Sequence, residues 1–359
     1  MEIDNKCMDY MITKLFIRNF KSVKEAELEC SKINVFIGEP NTGKSNILET
    51  IALLHLFVDQ RRDLTEEELS FMFRISQWSQ LFYWENLSHA IAIDAVLEEG
   101  EEIPIRLRYN EESEQIDVIF SYSDDRGEIT LTSLSPTRLH YTFPAYTNIA
   151  RFGFYRFRPR KDFPSKEMRF VVPPDAPNLL KIIRNRREEL ISELNRLFSK
   201  YGLELILKTF SGAIELQHPI SMEGIRIMAS LPYTVLSDSL QRMVFNLAIV
   251  TCNENMVIAL EEPETHTFPF YVKYLAEKIA RDEKGNQYFI STHNPYFLIS
   301  LLEKAPKKDV NVFITSFYNY ETKVRMLTDE QKEEILDMGS DVFFNLDKIW
   351  EELSLGVER

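Results

Sequence analysis

The chain has 359 residues, 44% of them hydrophobic, which excludes a disordered chain and allows either one large domain or two lobes. Its net charge of −14 opposes an all-over nucleic-acid-binding surface, so any DNA contact would need a local basic patch. The three widely spaced cysteines argue against a disulfide framework or a zinc site, and no apolar run or N-terminal leader predicts a membrane partner, so we place the protein in the cytoplasm.

The N-terminal part of the chain predicts two strands followed by a nucleotide-binding loop. Residues 12–17 and 26–30 have strand-like patterns and are joined by a turn at 19–22. A short apolar run at 35–37 leads into the pattern G-x-x-x-x-G-K-S, after which apolar residues recur at helical spacing. The candidate nucleotide-binding residues are Gly38, Glu39, Pro40, Asn41, Thr42, Gly43, Lys44, Ser45 and Asn46.

The chemistry of this loop indicates a nucleoside triphosphate with Mg²⁺. Gly38 and Gly43 allow close approach of the backbone, so that successive N–H groups can surround a phosphate at a helix N-terminus. Lys44 would neutralise the β- and γ-phosphates, and the Ser45 hydroxyl would be a metal ligand. Asn41 stands where such loops often have glycine, and asparagine tolerates a left-handed conformation well.

Residues 88–146 show short alternating runs broken by turn residues, which predict an antiparallel β meander. Residues 147–229 are predicted to form a basic and helical insertion lobe. Its first part alternates aromatic and basic residues, among them Arg156, Arg158 and Arg160. This alternation fits a strand that stacks nucleobases and contacts phosphates, and it fits equally well a half-buried strand with a solvated face.

An apolar run at residues 256–260 predicts a buried strand that ends in Glu261 and Glu262. Open α/β sheets bind their ligands at this end of the strands. Glu261 would hold Mg²⁺ through water, and Glu262 would orient and polarise the attacking water. The alternative is that the two acids cap the following helix.

Two further segments are candidates for the same site. A strand at 288–291 is followed by His293, whose imidazole could contact the γ-phosphate or the attacking water. Residues 236–242 open a helix in which Ser237 or Ser239 would be the N-cap.

In their order along the chain, these motifs resemble a family. The phosphate loop, the serine-rich helix start, Leu-Glu-Glu-Pro-Glu-Thr-His and Ser-Thr-His-Asn-Pro resemble the ABC-type ATPase heads of the RecF and structural-maintenance-of-chromosomes class, most of all the overcoming-lysogenization-defect type. The opening Ile-Arg-Asn-Phe-Lys-Ser is similar as well. The resemblance covers roughly residues 12–60 and 230–300.

The resemblance implies an α/β P-loop NTPase of the ABC-head type: one discontinuous head over residues 1–359 with a mostly parallel core sheet. Its core parts would be 12–75 and 230–328, and residues 329–359 would form C-terminal helices. Ser237 and Ser239 would contact the ATP of a second copy in a homodimer. Serine at 239 replaces the usual glycine, Gln77 and Gln80 are the candidates for the Q-loop, and the short remainder predicts no Toprim nuclease domain.

We therefore predict an Mg²⁺-dependent ATPase with ATP as substrate, coupled to DNA or to a partner nuclease or other effector protein in a DNA-repair or anti-phage role. The alternative is an ATP-gated scaffold with negligible turnover that controls a separate effector. A GTP-binding switch is a weaker third choice, because the chain contains no Asn-Lys-x-Asp segment.

Overall fold

The computed structural model describes residues 11–59, 65–121, 128–138, 151–163, 169–185, 187–208, 213–222 and 225–356. Within them the strands are β1 (Ile12–Phe20), β2 (Val23–Glu29), β3 (Ile33–Gly38), β4 (Ile91–Leu97), β5 (Glu102–Asn110), β6 (Gln115–Ser121), β7 (Glu128–Leu134), β8 (Phe152–Tyr155), β9 (Glu204–Lys208), β10 (Ala213–Met222), β11 (Ile225–Pro232), β12 (Val257–Glu261), β13 (Gln287–Ser291), β14 (Val310–Tyr318) and β15 (Glu321–Met326). The α-helices are α1 (Lys44–Leu54), α2 (Glu66–Phe73), α3 (Leu179–Asn185), α4 (Arg187–Ser199), α5 (Asp238–Cys252), α6 (Pro269–Ala280), α7 (Pro295–Lys304), α8 (Asp329–Met338) and α9 (Leu346–Gly356).

The core sheet has six strands in the order β15-β14-β3-β13-β12-β8. Five of them are parallel, and β15 pairs antiparallel with β14 at one edge. Every residue of β3 and β13 is buried, as expected for strands covered on both faces. Alternate residues serve the two faces: Val35 packs with α5 to α7, whereas Phe36 packs with α1.

A second six-stranded sheet is antiparallel, in the order β2-β1-β4-β5-β6-β7. Strand β4 alternates buried and half-buried residues, so one face of this sheet packs on the core. Helix α1 lies between the two sheets, since Ile47 and Ile51 share a hydrophobic cluster with residues of both. The predicted meander is thus extended by β1 and β2, which the sequence assigns to the core part.

The predicted insertion lobe differs from the structure in one respect. Strand β8 pairs with β12 and completes the parallel core sheet, and all four of its residues are buried. Its aromatic side chains pack on both faces of the core sheet. This packing explains why a segment that alternates aromatic and basic residues belongs to the core. Strands β9 to β11 form a separate three-stranded antiparallel sheet.

Residues 139–146 of the predicted meander lie outside the described residues, as do 357–359 at the C-terminal end. No helix in the described part of the chain is both long and apolar enough to cross a bilayer.

Candidate functional site

The loop between β3 and α1 has the backbone of a phosphate-binding turn. Gly38, Asn41 and Gly43 have φ values of 149°, 67° and 94°. A Cβ on Gly43 would lie 2.0 Å from Thr322 Oγ1, so only glycine fits there. Gly43 is also the N-cap of α1, and having no side chain it leaves the first-turn N–H groups available to an anion.

Lys44 is folded back onto its own loop. Its Nζ donates to Gly38 O at 2.8 Å and to Glu39 O at 2.6 Å. Burial lowers the pKa of Lys44 to about 8, although the charges of Glu262 and Glu39 act in the opposite direction. The ammonium group is therefore held by carbonyl oxygens that an incoming phosphate could replace.

Hydroxyl groups fix the loop to the neighbouring strands. Thr42 Oγ1 lies 2.6 Å from Thr315 Oγ1 on β14. Asn46 Nδ2 donates to Ser22 Oγ at 2.6 Å, and Ser22 Oγ lies 2.7 Å from Thr322 Oγ1 on β15. The turn between β1 and β2 is thereby connected to the first turn of α1.

The carboxylates at the end of β12 lie beside this loop, as the sequence predicts. The Ser45 side chain lies close enough to Glu261 to help lower the pKa of that carboxylate, which brings together the two candidate metal ligands. Burial alone would raise the pKa of Glu261, but Arg156 and Arg74 outweigh it and hold this pKa below its usual value. Glu261 is thus a carboxylate at neutral pH.

Glu262 has a left-handed backbone, with φ of 42°, that turns its side chain toward the end of β13. His293 Nε2 lies 3.4 Å from Glu262 Oε1, and Thr265 Oγ1 donates to Oε2 at 3.1 Å. The hydrogen bond from His293 is the main cause of the lowered pKa of Glu262, which Lys44 lowers further. The structure thus joins the two candidate catalytic residues.

Glu264 is a site residue that the sequence analysis missed. Its Oε1 accepts from Thr292 Oγ1 at 2.6 Å and from the His293 backbone N–H at 3.0 Å. The side chain is buried, burial raises its pKa, and Oε2 has no hydrogen-bond partner among the described residues. Its place two residues after Glu262, as a third acid in the segment that follows β12, was the available signal.

A cluster of charged side chains around Glu49, also missed by the sequence analysis, contacts Glu261. Glu49 on α1 is fully buried and forms salt bridges with Lys21, Arg74 and Arg156. Arg74 and Arg156 also reach Glu261, Arg74 at 3.4 Å. Three basic side chains therefore surround two carboxylates, one of which is the candidate metal ligand Glu261.

These contacts correct the interpretation of the basic segment as an open, nucleic-acid-binding strand. Arg156 is bonded to Glu261 and Glu49, while Arg158 and Arg160 bind the two oxygens of the buried Asp175 at 2.8 and 2.7 Å. The three side chains are 12%, 27% and 14% exposed. Their guanidinium groups are thus engaged inside the protein.

The loop and Glu262 face a cavity of about 720 Å³. Its lining combines residues 40–46, Glu262 and His293 with groups from the β1–β2 turn and from residues 74–85. Gln80, one of the two Q-loop candidates, lines it, and the side chain of Gln80 accepts from Ser76 N at 2.8 Å. A cavity of this size, with cations and helix N–H groups on its floor, is suited to a nucleoside triphosphate.

Ser237 and Ser239 lie outside the lining of this cavity. Ser237 is the N-cap of α5, with Oγ accepting from Leu240 N at 3.4 Å. Ser239 Oγ accepts from Phe268 N at 3.4 Å, and Asp238 Oδ2 lies 3.1 Å from His266 Nδ1. The start of α5 is therefore tied to the segment that follows the two carboxylates.

Comparison with solved structures shows the same fold in Smc head domains. A Smc head bound to the C-terminal winged-helix domain of ScpA has a TM-score of 0.54 at 18% identity, covering 89% of this chain and 99% of that one. The Smc head of Pyrococcus furiosus, with an extended coiled coil and bound to the C-terminal domain of ScpA, has a TM-score of 0.53 at 15% identity, covering 91% and 98%. These likenesses confirm the predicted P-loop NTPase fold.

Among curated proteins, a Helicobacter pylori (strain ATCC 700392 / 26695) protein described as an ATP/GTP phosphatase is 22% identical over 344 residues, covering 83% of this chain and 90% of the relative. The family model described as AAA ATPase domain matches residues 11–209, which is more than half of the chain and includes the whole phosphate loop. The chain belongs to this AAA ATPase domain family and is an ATPase.

Proposed function

We propose that the chain binds Mg²⁺-ATP in the cavity above α1 and transfers the γ-phosphoryl group to water, as an ATPase of the overcoming-lysogenization-defect type. The observation that carries this proposal is the convergence of Ser45, Glu261 and Glu262 at one end of the core sheet. The acids are not simple helix caps, because each side chain is bonded to a group of the site rather than to the first turn of α6.

The protein groups fit a magnesium ion held mainly by substrate phosphates. The Ser45 hydroxyl and the Glu261 carboxylate are hard oxygen ligands that lie near each other. The described residues contain no cluster of three or more acidic, histidine or cysteine side chains suited to a dedicated metal cage. When bound, Mg²⁺ would neutralise charge on the β- and γ-phosphates.

The remaining groups have separate roles in hydrolysis. The N–H groups of the loop and Lys44 bind the phosphates, and Glu262 accepts a hydrogen bond from the attacking water. His293, whose Nε2 lies 3.4 Å from Glu262 Oε1, orients that carboxylate and lies on the side where the γ-phosphate would end. Arg74 reaches the cavity from α2 and adds a further positive charge.

We further propose that two copies close around ATP, with Ser237 and Ser239 of one copy facing the phosphates of the other. Their position outside the cavity of their own chain agrees with a role in the partner's site. Closure would then act on a partner protein, in line with the Smc heads that are bound to ScpA. Because Arg156, Arg158 and Arg160 are engaged internally, we do not assign DNA contact to them.

The test is steady-state phosphate release from ATP by the purified chain, with Mg²⁺ and with a chelator, beside the Lys44→Ala variant. We expect Mg²⁺-dependent turnover in the wild type and none in the variant, with unchanged circular dichroism. Turnover that persists in Lys44→Ala would overturn the proposal.

A second candidate function is the ATP-gated scaffold, which the serine at position 239 favours. Serine carries a side chain where glycine would have none, so backbone approach to a partner's phosphate is looser than with glycine. ATP-dependent dimerisation in light scattering without measurable phosphate release would establish this second function.

A further inference from the structure

We propose that the nucleobase of the bound nucleotide stacks on an aromatic rim formed by Trp84 and Phe317, on the side of the phosphate loop opposite to Glu262. This inference rests on the proposed function, because it assigns the second half of the same ligand. Both aromatic side chains line the cavity and are exposed, Trp84 by 61% and Phe317 by 45%.

The order of strands in the core sheet gives the direction of the ligand. Strand β3, which leads into the phosphate loop, has β13 and β12 on one side and β14 and β15 on the other. His293 and Glu262 follow β13 and β12, so the γ-phosphate belongs to that side. A triphosphate laid across the N-terminus of α1 therefore directs its ribose and base toward β14 and β15.

The rim lies on that second side. Phe317 on β14 is paired with Thr322 on β15, and the Thr322 hydroxyl contacts Ser22, which in turn accepts from Asn46 in the first turns of α1. Phe317 thus lies near the C-terminal end of the phosphate loop, where the loop enters α1.

Trp84 is held in place from the same side. Its Nε1 donates to Tyr320 O at 3.1 Å, and its ring meets the Tyr320 ring edge-on at a centroid distance of 6.1 Å. The Trp84 backbone is left-handed, with φ of 52° and ψ of 34°, an unfavourable conformation for a bulky residue. The structure therefore holds the Trp84 side chain in place although its backbone conformation is unfavourable, and one face of the indole remains open to the cavity.

Exposed and positioned aromatic faces at the mouth of a phosphate site are suited to a nucleobase, whose π-face stacks on them whatever its identity. Bases held in this way lose about 5- to 100-fold in affinity when one aromatic partner is removed. Inorganic tripolyphosphate contacts the phosphate loop but has no base, so it separates the two halves of the site.

The experiment measures the affinities of ATP and of tripolyphosphate, each with Mg²⁺, by calorimetry for the wild type, Trp84→Ala, Trp84→Phe and the control Phe344→Ala. Phe344 is 89% exposed and lies outside the cavity lining. Trp84→Ala should weaken ATP about 5- to 100-fold and tripolyphosphate less than twofold, Trp84→Phe should weaken ATP less than about fivefold, and Phe344→Ala should change neither.

Equal ATP affinities of wild type and Trp84→Ala would overturn the inference while leaving the proposed function intact. So would an equal loss for ATP and tripolyphosphate, since Trp84 would then act on the loop and not on the base. A wild type that binds neither ligand would overturn the proposed function, and the inference with it.

Discussion

The guanidinium group of Arg156 forms a salt bridge with the carboxylate of Glu261 at the end of β12. The same group reaches Glu49 on α1 at 3.2 Å and donates to the carbonyl oxygens of Phe71 and Met72. One side chain thus connects the strand that presents the carboxylates, the helix that follows the phosphate loop, and α2. We consider this connection to be the structural basis for a fixed distance between Ser45 and Glu261.

Replacing Arg156 with methionine should destabilise the fold. The change leaves Glu49 fully buried with two of its three cations and leaves Glu261 with Arg74 alone, so we expect a loss of about 2–4 kcal/mol. Urea unfolding measures it. The matched control is Arg108→Met, which removes an exposed pair with Glu128 at 3.6 Å and should cost at most about 1 kcal/mol. Equal losses for both variants would contradict a structural role of the buried network.

Glu262→Gln should retain Mg²⁺-ATP binding and lose hydrolysis. The amide keeps the size of the carboxylate but cannot polarise water as a carboxylate does, so we expect turnover to fall about 10²- to 10⁴-fold. ATP affinity by calorimetry should change little, and the variant should accumulate as an ATP-bound dimer in size-exclusion chromatography. Glu303→Gln, on an exposed position of α7, is the control and should hydrolyse ATP as the wild type does. Normal turnover by Glu262→Gln would move the catalytic role to His293.

The sequence predicts those parts of the site in which the local backbone conformation or the burial of a strand requires one type of residue. Gly43 is needed because the backbone there is left-handed, with φ of 94°, and β3, β12 and β13 are mostly apolar because both sheet faces are covered. Each of these demands is visible within ten residues of the chain.

The role of Arg156 could not be predicted in this way. Alternation of basic and aromatic residues fixes which side chains share a face but not what lies opposite, and Glu49 and Glu261 are each more than a hundred residues distant in sequence. The same applies to β1, whose pairing with β4 depends on a long-range register that local patterns do not specify. Long-range partners of charged residues and of sheet edges were therefore the part that the sequence left open.

The lowered pKa of Lys44 predicts a pH-dependent affinity for ATP. With a pKa of about 8, Lys44 is a cation at pH 7 and mostly neutral at pH 9, and bound phosphates favour the cation. Binding at pH 9 should therefore take up a proton, and ATP affinity should fall by up to about fivefold between pH 8 and pH 9. Calorimetry in two buffers of different ionisation enthalpy measures the proton directly.

The matched variant for this effect is Lys44→Arg. Arginine stays charged at both pH values, so the variant should show no proton uptake at position 44, whatever its absolute affinity. Proton uptake that is identical in wild type and Lys44→Arg would assign the effect to another group.

The last prediction concerns Glu264, whose pKa is raised by burial. Between the unfolded pKa of about 4.3 and the higher folded value, the native state binds more protons than the unfolded state. This contribution to stability is therefore fully present below the unfolded pKa and is lost as pH rises through the folded pKa. Glutamine at this position is neutral at every pH and can still accept from Thr292 and from the His293 N–H, so Glu264→Gln should not show the loss.

The measurement is the free energy of unfolding in urea from pH 4 to pH 8, taken as wild type minus variant so that the other carboxylates cancel. This difference should decline as pH rises, with a slope of at most about 1.4 kcal/mol per pH unit. Glu264→Ala removes the acceptor of Thr292 and of the His293 N–H, and should in addition lower turnover because the His293 backbone is no longer held. A difference that stays constant with pH would show that folding does not raise the pKa of Glu264, and unchanged turnover in Glu264→Ala would show that His293 is positioned by other groups.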